Sequence, residues 1–211
     1  MKILISKYAL IALSTLFISG CATVHHDVSQ AQSAAQQVAQ QELEQLQNWS
    51  VRGKLAIISL DERKSASIAW QQHQDKLTMT LTTVVGTTIA KLFYDGEMAT
   101  LTADGQTWQD PSPSALIYRI TGWEVPVESL KYWMKGQVNA DLVSEYFDNG
   151  LVKSMTAGCE QCLVWQVNYN AYAEFTLNET LYTLPTSLRL NQSSTQTSLI
   201  MRIDQWKAKD V

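Results

Sequence analysis

Trp49-Ser50-Val51-Arg52-Gly53-Lys54-Leu55-Ala56-Ile57 sets Val51, Gly53, Leu55 and Ile57 against Arg52, Lys54 and Ala56 with period two, the pattern of a strand with one buried face. The alternation returns in Ala66, Ile68 and Trp70, in Leu77, Met79 and Leu81, in Ala90 and Leu92, and in Ala99 and Leu101. It returns again in Trp165, Val167 and Tyr169, in Leu188 and Leu190, and in Leu199, Met201 and Ile203. Turn-forming stretches separate these runs, among them Asp61-Glu62-Arg63, His73-Gln74-Asp75, Tyr94-Asp95-Gly96-Glu97, Asp104-Gly105 and Asp148-Asn149-Gly150. Connections this short join antiparallel neighbours, because a parallel crossover needs a dozen or more residues. The expected fold is mainly β, a curved antiparallel meander.

One segment, near residues 112–136, breaks the rhythm. Ser112-Pro113 reads as an N-cap followed by proline in the first turn, Leu116, Ile117 and Ile120 share a helical face, and Gly122 can end the helix. A second short helix begins near Pro126-Val127, turns Leu130, Trp133 and Met134 inward and closes at Gly136. Helices inserted in a meander are placed to cover its concave face. The strands then offer Leu55, Ile57, Ile68, Trp70, Met79 and Leu81 to the interior, with Leu92, Trp108, Trp165, Leu188 and Met201. The lid adds Leu116, Ile120, Leu130 and Trp133. Patterning alone leaves a solid core and a pocket sized for acyl chains equally open.

At the amino terminus, Lys2 and Lys7 precede an uncharged run from Tyr8 to Ile18, followed by Ser19-Gly20-Cys21. This is the layout of a signal peptide, residues 1–20, too short to cross a bilayer as a helix. Ile18-Ser19-Gly20-Cys21 resembles a lipobox, which makes Cys21 the expected site of acylation after cleavage, and several acyl chains together anchor stably. Ala22 and Thr23, in place of an aspartate after the cysteine, direct such a lipoprotein to the outer membrane, where it would sit on the periplasmic face. Residues 21–47 read as a tether turning into a helix, with Val38, Leu43 and Leu46 as a thin apolar stripe. Residues 48–211 form one domain.

The net charge of −4 argues against nucleic acid, whose binders carry basic patches. The three histidines, His25, His26 and His73, fall in the tether and a polar turn, so no catalytic triad, metal centre or cofactor is expected, and no enzyme. Cys159-Glu160-Gln161-Cys162 lies between two strand-like runs, where a local disulfide bracing a turn, or inert thiols, is expected over a redox site. Two rival readings follow from these features. One is an outer-membrane scaffold lipoprotein with a solid core; the other is a periplasmic thiol oxidoreductase using Cys159 and Cys162.

From Trp49 to Trp206 the chain resembles the LolB family of outer-membrane lipoproteins. The likeness runs through Trp49 to Ala56, Ala66-Ser67-Ile68-Ala69-Trp70, Leu81 to Thr88, Leu116 to Gly122, and Pro126 to Leu130. It continues in Trp133, Gly136, Leu184-Pro185 and Ile203-Asp204-Gln205-Trp206. It implies an incomplete antiparallel barrel of about eleven strands with a helical lid over an apolar, acyl-chain-binding cavity. It also implies acceptance of acylated lipoproteins from the periplasmic carrier LolA, and their insertion into the outer membrane by a monomer with no cofactor. The family's protruding Pro-Leu-Gly loop corresponds here to Val84-Val85-Gly86, with Val85 at the leucine position and Val84 at the proline.

Overall fold

The structure, a computed structural model, describes residues 26–138, 143–158 and 163–208. Cys21, Cys159 and Cys162 lie outside them. Its strands are Asn48–Ile58 (β1), Arg63–His73 (β2), Lys76–Thr82 (β3), Thr88–Tyr94 (β4), Ala99–Ala103 (β5) and Gln106–Asp110 (β6). Val143–Tyr146 (β7), Val152–Ala157 (β8), Trp165–Leu177 (β9), Thr180–Gln192 (β10) and Thr197–Ala208 (β11) complete the set. The helices are His26–Gln45 (α1), Pro113–Thr121 (α2) and Val127–Trp133 (α3).

All strands belong to one antiparallel sheet ordered β6-β5-β4-β3-β2-β1-β11-β10-β9-β8-β7. The first and last strands of the chain therefore pair at the centre, and β6 and β7 are its two unpaired edges. The chain leaves the sheet at one edge and re-enters at the other, so α2 and α3 occupy the span between them. This is an incomplete barrel with a helical cover, and mainly β as expected.

Pairing of β1 with β11 slips between Arg52 and Gly53, so that Val51 faces Trp206 while Gly53 faces Ile203. The bulge turns Trp206 back to the interior. There its ring lies 5.2 Å from that of Trp49, which in turn stacks on Trp70 at 6.1 Å, and its indole N–H donates to the Pro185 carbonyl at 3.0 Å. A side chain at Gly53 would put Cβ 2.0 Å from the Arg202 carbonyl oxygen. Gly53→Val should therefore force apart the two central strands and destabilise the fold by about 3 kcal/mol or more. Denaturant unfolding of this variant tests the point; wild-type stability would show that the strands are not so closely apposed.

The lid helices end where their caps dictate. The Ser112 side chain accepts the Ala115 N–H at 3.1 Å, and Gly122 takes the left-handed φ of 75° while donating to the Tyr118 carbonyl. α1 differs from the expected stripe: Leu43 and Leu46 are buried, but Val38 is 55% exposed, while Gln40 faces the body, donating to the Gly136 carbonyl at 3.1 Å and accepting the Val138 N–H at 2.8 Å. The carboxy-terminal end of α1 is held by Lys135, which is 4% exposed and donates to the carbonyls of Leu43 (2.6 Å) and Leu46 (3.0 Å). A lysine at the carbonyl end of a helix complements its dipole.

Burial, aided by the nearby Lys131 charge, pushes the Lys135 ammonium down to about 8, against the pull of Glu44. Between about 8 and 10.5 the unfolded chain thus holds a proton that the folded one has shed, so this lysine makes stability rise with pH across that window. The neutral amine keeps two N–H donors for its two carbonyls. Lys135→Met should remove that rise, read as the difference between wild-type and variant in denaturant titrations at several pH values; parallel curves would refute the assignment.

Candidate functional site: an apolar hollow and an exposed turn

Beneath the lid the sheet and helices enclose a cavity of about 90 Å³. Ten of the fifteen residues expected to line one interior space surround it: Leu55, Ile57, Ile68, Trp70, Met79, Leu81, Leu92, Ile120, Leu130 and Met201. Among the described residues the only polar one in its lining is Thr121. Five expected residues lie elsewhere. Leu116 and Leu188 are fully buried without bordering the cavity, Trp108 is half-buried on the edge strand β6, and Trp133 and Trp165 border a separate, more open groove.

This division has a physical cause, since over β9 and β10 the lid rests directly on the sheet. Tyr169, 2% exposed, donates its hydroxyl to the Trp133 carbonyl at 2.7 Å. A Cβ on Gly136 would lie 3.3 Å from the Tyr172 hydroxyl and 3.6 Å from Pro185. Burial raises the Tyr169 phenol well above its usual range, so it remains a neutral donor. Over β1 to β5 and β11 the lid meets the sheet at its margins, where α2 packs on β5, Lys131 donates to Asp75 in the β2–β3 turn at 2.9 Å and Lys64 lies 4.7 Å from the Trp123 ring centroid, and the hollow lies within that frame. Ile117, Trp123 and Val125 also line it. Ile117 shares the helical face of Leu116 and Ile120, whereas Trp123 and Val125 fall outside the expected lining, although in a short connection between helices they are an unusual apolar insertion.

The two lid helices are tied to each other. Glu128 in the first turn of α3 accepts hydrogen bonds from the Ser112 hydroxyl (2.8 Å), the Ser114 N–H (3.2 Å) and the Ser114 hydroxyl. The Val127 N–H in turn donates to Ser114 Oγ at 2.9 Å. On the α3 side the lid is pinned by Tyr169. On the α2 side its polar ties to the sheet include the Ser112 N–H, which donates to Asp110 at 3.0 Å, a bond from Arg119 to the Gln109 carbonyl, and an ion pair from Arg119 to Asp110 at 2.8 Å, half exposed on the arginine. A pair so exposed contributes roughly 0 to 1 kcal/mol.

Between β3 and β4 stands the turn Thr83-Val84-Val85-Gly86. Val84 is 96% exposed and Val85 88%, so two adjacent apolar side chains project into solvent, which soluble surfaces seldom arrange without a use. Thr83 braces the turn without a proline. Its N–H donates to the Thr87 carbonyl (2.8 Å), its carbonyl accepts the Gly86 N–H (3.0 Å), and its hydroxyl oxygen accepts the Thr87 N–H (3.1 Å). Gly86 adopts φ 91°, which a side chain would strain. Among the described residues no cluster of His, Cys, Asp and Glu could hold a metal, and no helix is long and apolar enough to cross a membrane.

An open antiparallel sheet wrapped around an apolar interior under a two-helix cover makes the chain a half-barrel. A LolA superfamily protein from Nitrosomonas europaea has this fold, with a TM-score of 0.57 at 7% identity, covering 85% of this chain and 94% of that one. At the level of sequence, the family model of outer membrane lipoprotein LolB matches residues 47–206. The outer-membrane lipoprotein LolB of Pseudoalteromonas translucida is 33% identical over 89% of this chain and 88% of its own length. That of Vibrio cholerae is 32% identical over 92% of each. The chain belongs to the LolB family of outer-membrane lipoproteins, which act in lipoprotein localisation.

Proposed function

We propose that this chain, moored to the outer membrane by acyl chains on Cys21, accepts acylated lipoproteins from a LolA-type carrier and passes them into the bilayer as a monomer, without cofactor or catalysis. The observation that carries the reading is the hollow, whose lining among the described residues is apolar but for Thr121. Such a surface recognises alkyl chains by burial, at roughly 0.8 kcal/mol per methylene, and makes few demands on cargo sequence. Transfer needs no nucleotide if each receiver buries the chains better than the donor.

At about 90 Å³ the hollow is far below the ~300 Å³ at which ligand pockets begin. It therefore corresponds to a closed form, and entry of a chain requires the lid to lift. The α2 side is the one to move, since its charged tie to the sheet comes from exposed Arg119 while α3 is held by buried Tyr169 and by Lys131 on Asp75. Val84 and Val85, standing clear on their braced turn, then meet the acyl region of the membrane and open a path for release.

Depletion of the protein should strand outer-membrane lipoproteins in complex with their carrier; normal delivery without it would refute the reading. The small volume also favours one rival, a lipid-anchored scaffold with a filled interior. That rival predicts no saturable uptake of alkyl probes.

A further inference from the structure

Outside the hollow, α2, α3 and the facing ends of β8 and β9 border a groove of about 640 Å³. Its walls are largely aromatic and apolar, with Tyr118, Tyr132, Trp133, Leu163 and Trp165 among them. Tyr118 is 54% exposed, and Tyr132 and Leu163 are both 38% exposed. Val125 borders both this groove and the hollow. The connection between the lid helices is thus a partition between two apolar spaces, one wide and open and the other narrow.

On the same connection sits Glu124, which lines the groove and has one carboxylate oxygen, Oε2, removed from solvent with no hydrogen-bond partner among the described residues. A buried acceptor left unmatched is costly, and a carboxylate more so. It calls for an N–H or O–H donor delivered by something that also covers the aromatic walls.

Building on the acyl-transfer reading above, we propose that this groove is a second ligand site, which receives the acylated amino-terminal peptide of the cargo. One acyl chain lies along Tyr118, Trp133 and Leu163, and a backbone N–H of the peptide donates to Glu124 Oε2. The ligand class is thereby narrower than an alkyl chain: it is an alkyl chain attached to a short peptide. The groove's volume is within the range of ligand sites, whereas the hollow's is not. Cargo seated here lies against Val125, and displacing that residue joins the groove to the hollow.

The test is photo-crosslinking from the full chain in cells making an epitope-tagged outer-membrane lipoprotein. Benzoylphenylalanine replaces Tyr118 or Leu163 in the groove, or Ile120 in the hollow. Crosslinks to the tagged cargo are expected from all three positions, and only when the cargo retains its acylated cysteine. Glu124→Leu should reduce those from Tyr118 and Leu163 about tenfold, the loss of one hydrogen bond to a charged group, and leave those from Ile120 unchanged. Glu124→Gln, which keeps an accepting oxygen, should retain most of the yield.

Cargo crosslinks at Ile120 alone would overturn the groove and spare the acyl-transfer reading; their absence at all three positions would overturn both. Crosslinks from the groove to the carrier irrespective of cargo acylation would show a protein contact in place of a ligand site. An equal loss at Ile120 and Tyr118 in Glu124→Leu would show that Glu124 supports the fold and takes no ligand.

Discussion

Val85→Glu should lower insertion of cargo into vesicles about a hundredfold while loading from a LolA-type carrier proceeds as before. The side chain is 88% exposed at the tip of a turn held by its neighbour Thr83, so the substitution removes no packing and the protein should reach normal levels. What changes is the cost of placing that tip in hydrocarbon. A carboxylate at bilayer depth costs roughly 2.5 to 3.5 kcal/mol, which is about two powers of ten in rate or occupancy. Val85→Leu, longer and equally apolar, should insert at least as well as the wild type. Release of fluorescent lipoprotein into liposomes separates the outcomes, and equal release by the Glu variant would remove the turn from the mechanism.

Trp70→Ala should destabilise the free protein by about 4 kcal/mol, the usual scale for deleting a buried indole. Trp70 is wholly buried, stacks on Trp49 and donates its indole N–H to the Gln72 side-chain oxygen at 2.9 Å. Its removal deletes packing and leaves a buried acceptor unmatched. Because the ring also lines the hollow, the same change enlarges it. Engineered apolar cavities of roughly 150 Å³ remain dry and take up apolar ligands, so a palmitoyl probe should raise the melting temperature of Trp70→Ala more than that of the wild type. A probe that stabilises neither protein would mean that the interior does not receive alkyl chains.

The sheet was legible in the sequence because its strands alternate cleanly from Leu55 to Met201, and the lid because Ser112, Pro113 and Gly122 punctuate its first helix. The centre of the sheet was only half legible. Gly53 falls in the alternating pattern, but its role is to let β11 approach closely at a bulge, and period-two reading carries no information about a register slip. The extent of the hollow was not legible either. Leu188 and Met201 have the same inward phase on neighbouring strands, but whether a side chain meets space or solid packing depends on where the lid touches down. That is decided by the Tyr169–Trp133 contact between distant segments.

Lys135 is a further case, since a lysine following Trp133-Met134 reads as a surface residue until the carbonyl end of α1 arrives to hold it. Glu128 was similarly silent: its task is to fasten α2 to α3 across the fold, which local spacing does not encode. Thr83 braces the exposed turn through bonds that depend on the turn having closed, which spacing does not encode.

The most direct test is saturable binding of a fluorescent fatty acid to the chain made without its first 20 residues and with Cys21 replaced, followed by competition with palmitate. The account predicts stoichiometric binding that palmitate displaces and that Ala90→Trp, which fills the hollow from β4, abolishes in a folded protein. Binding that never saturates, or that survives the filled hollow unchanged, would contradict it.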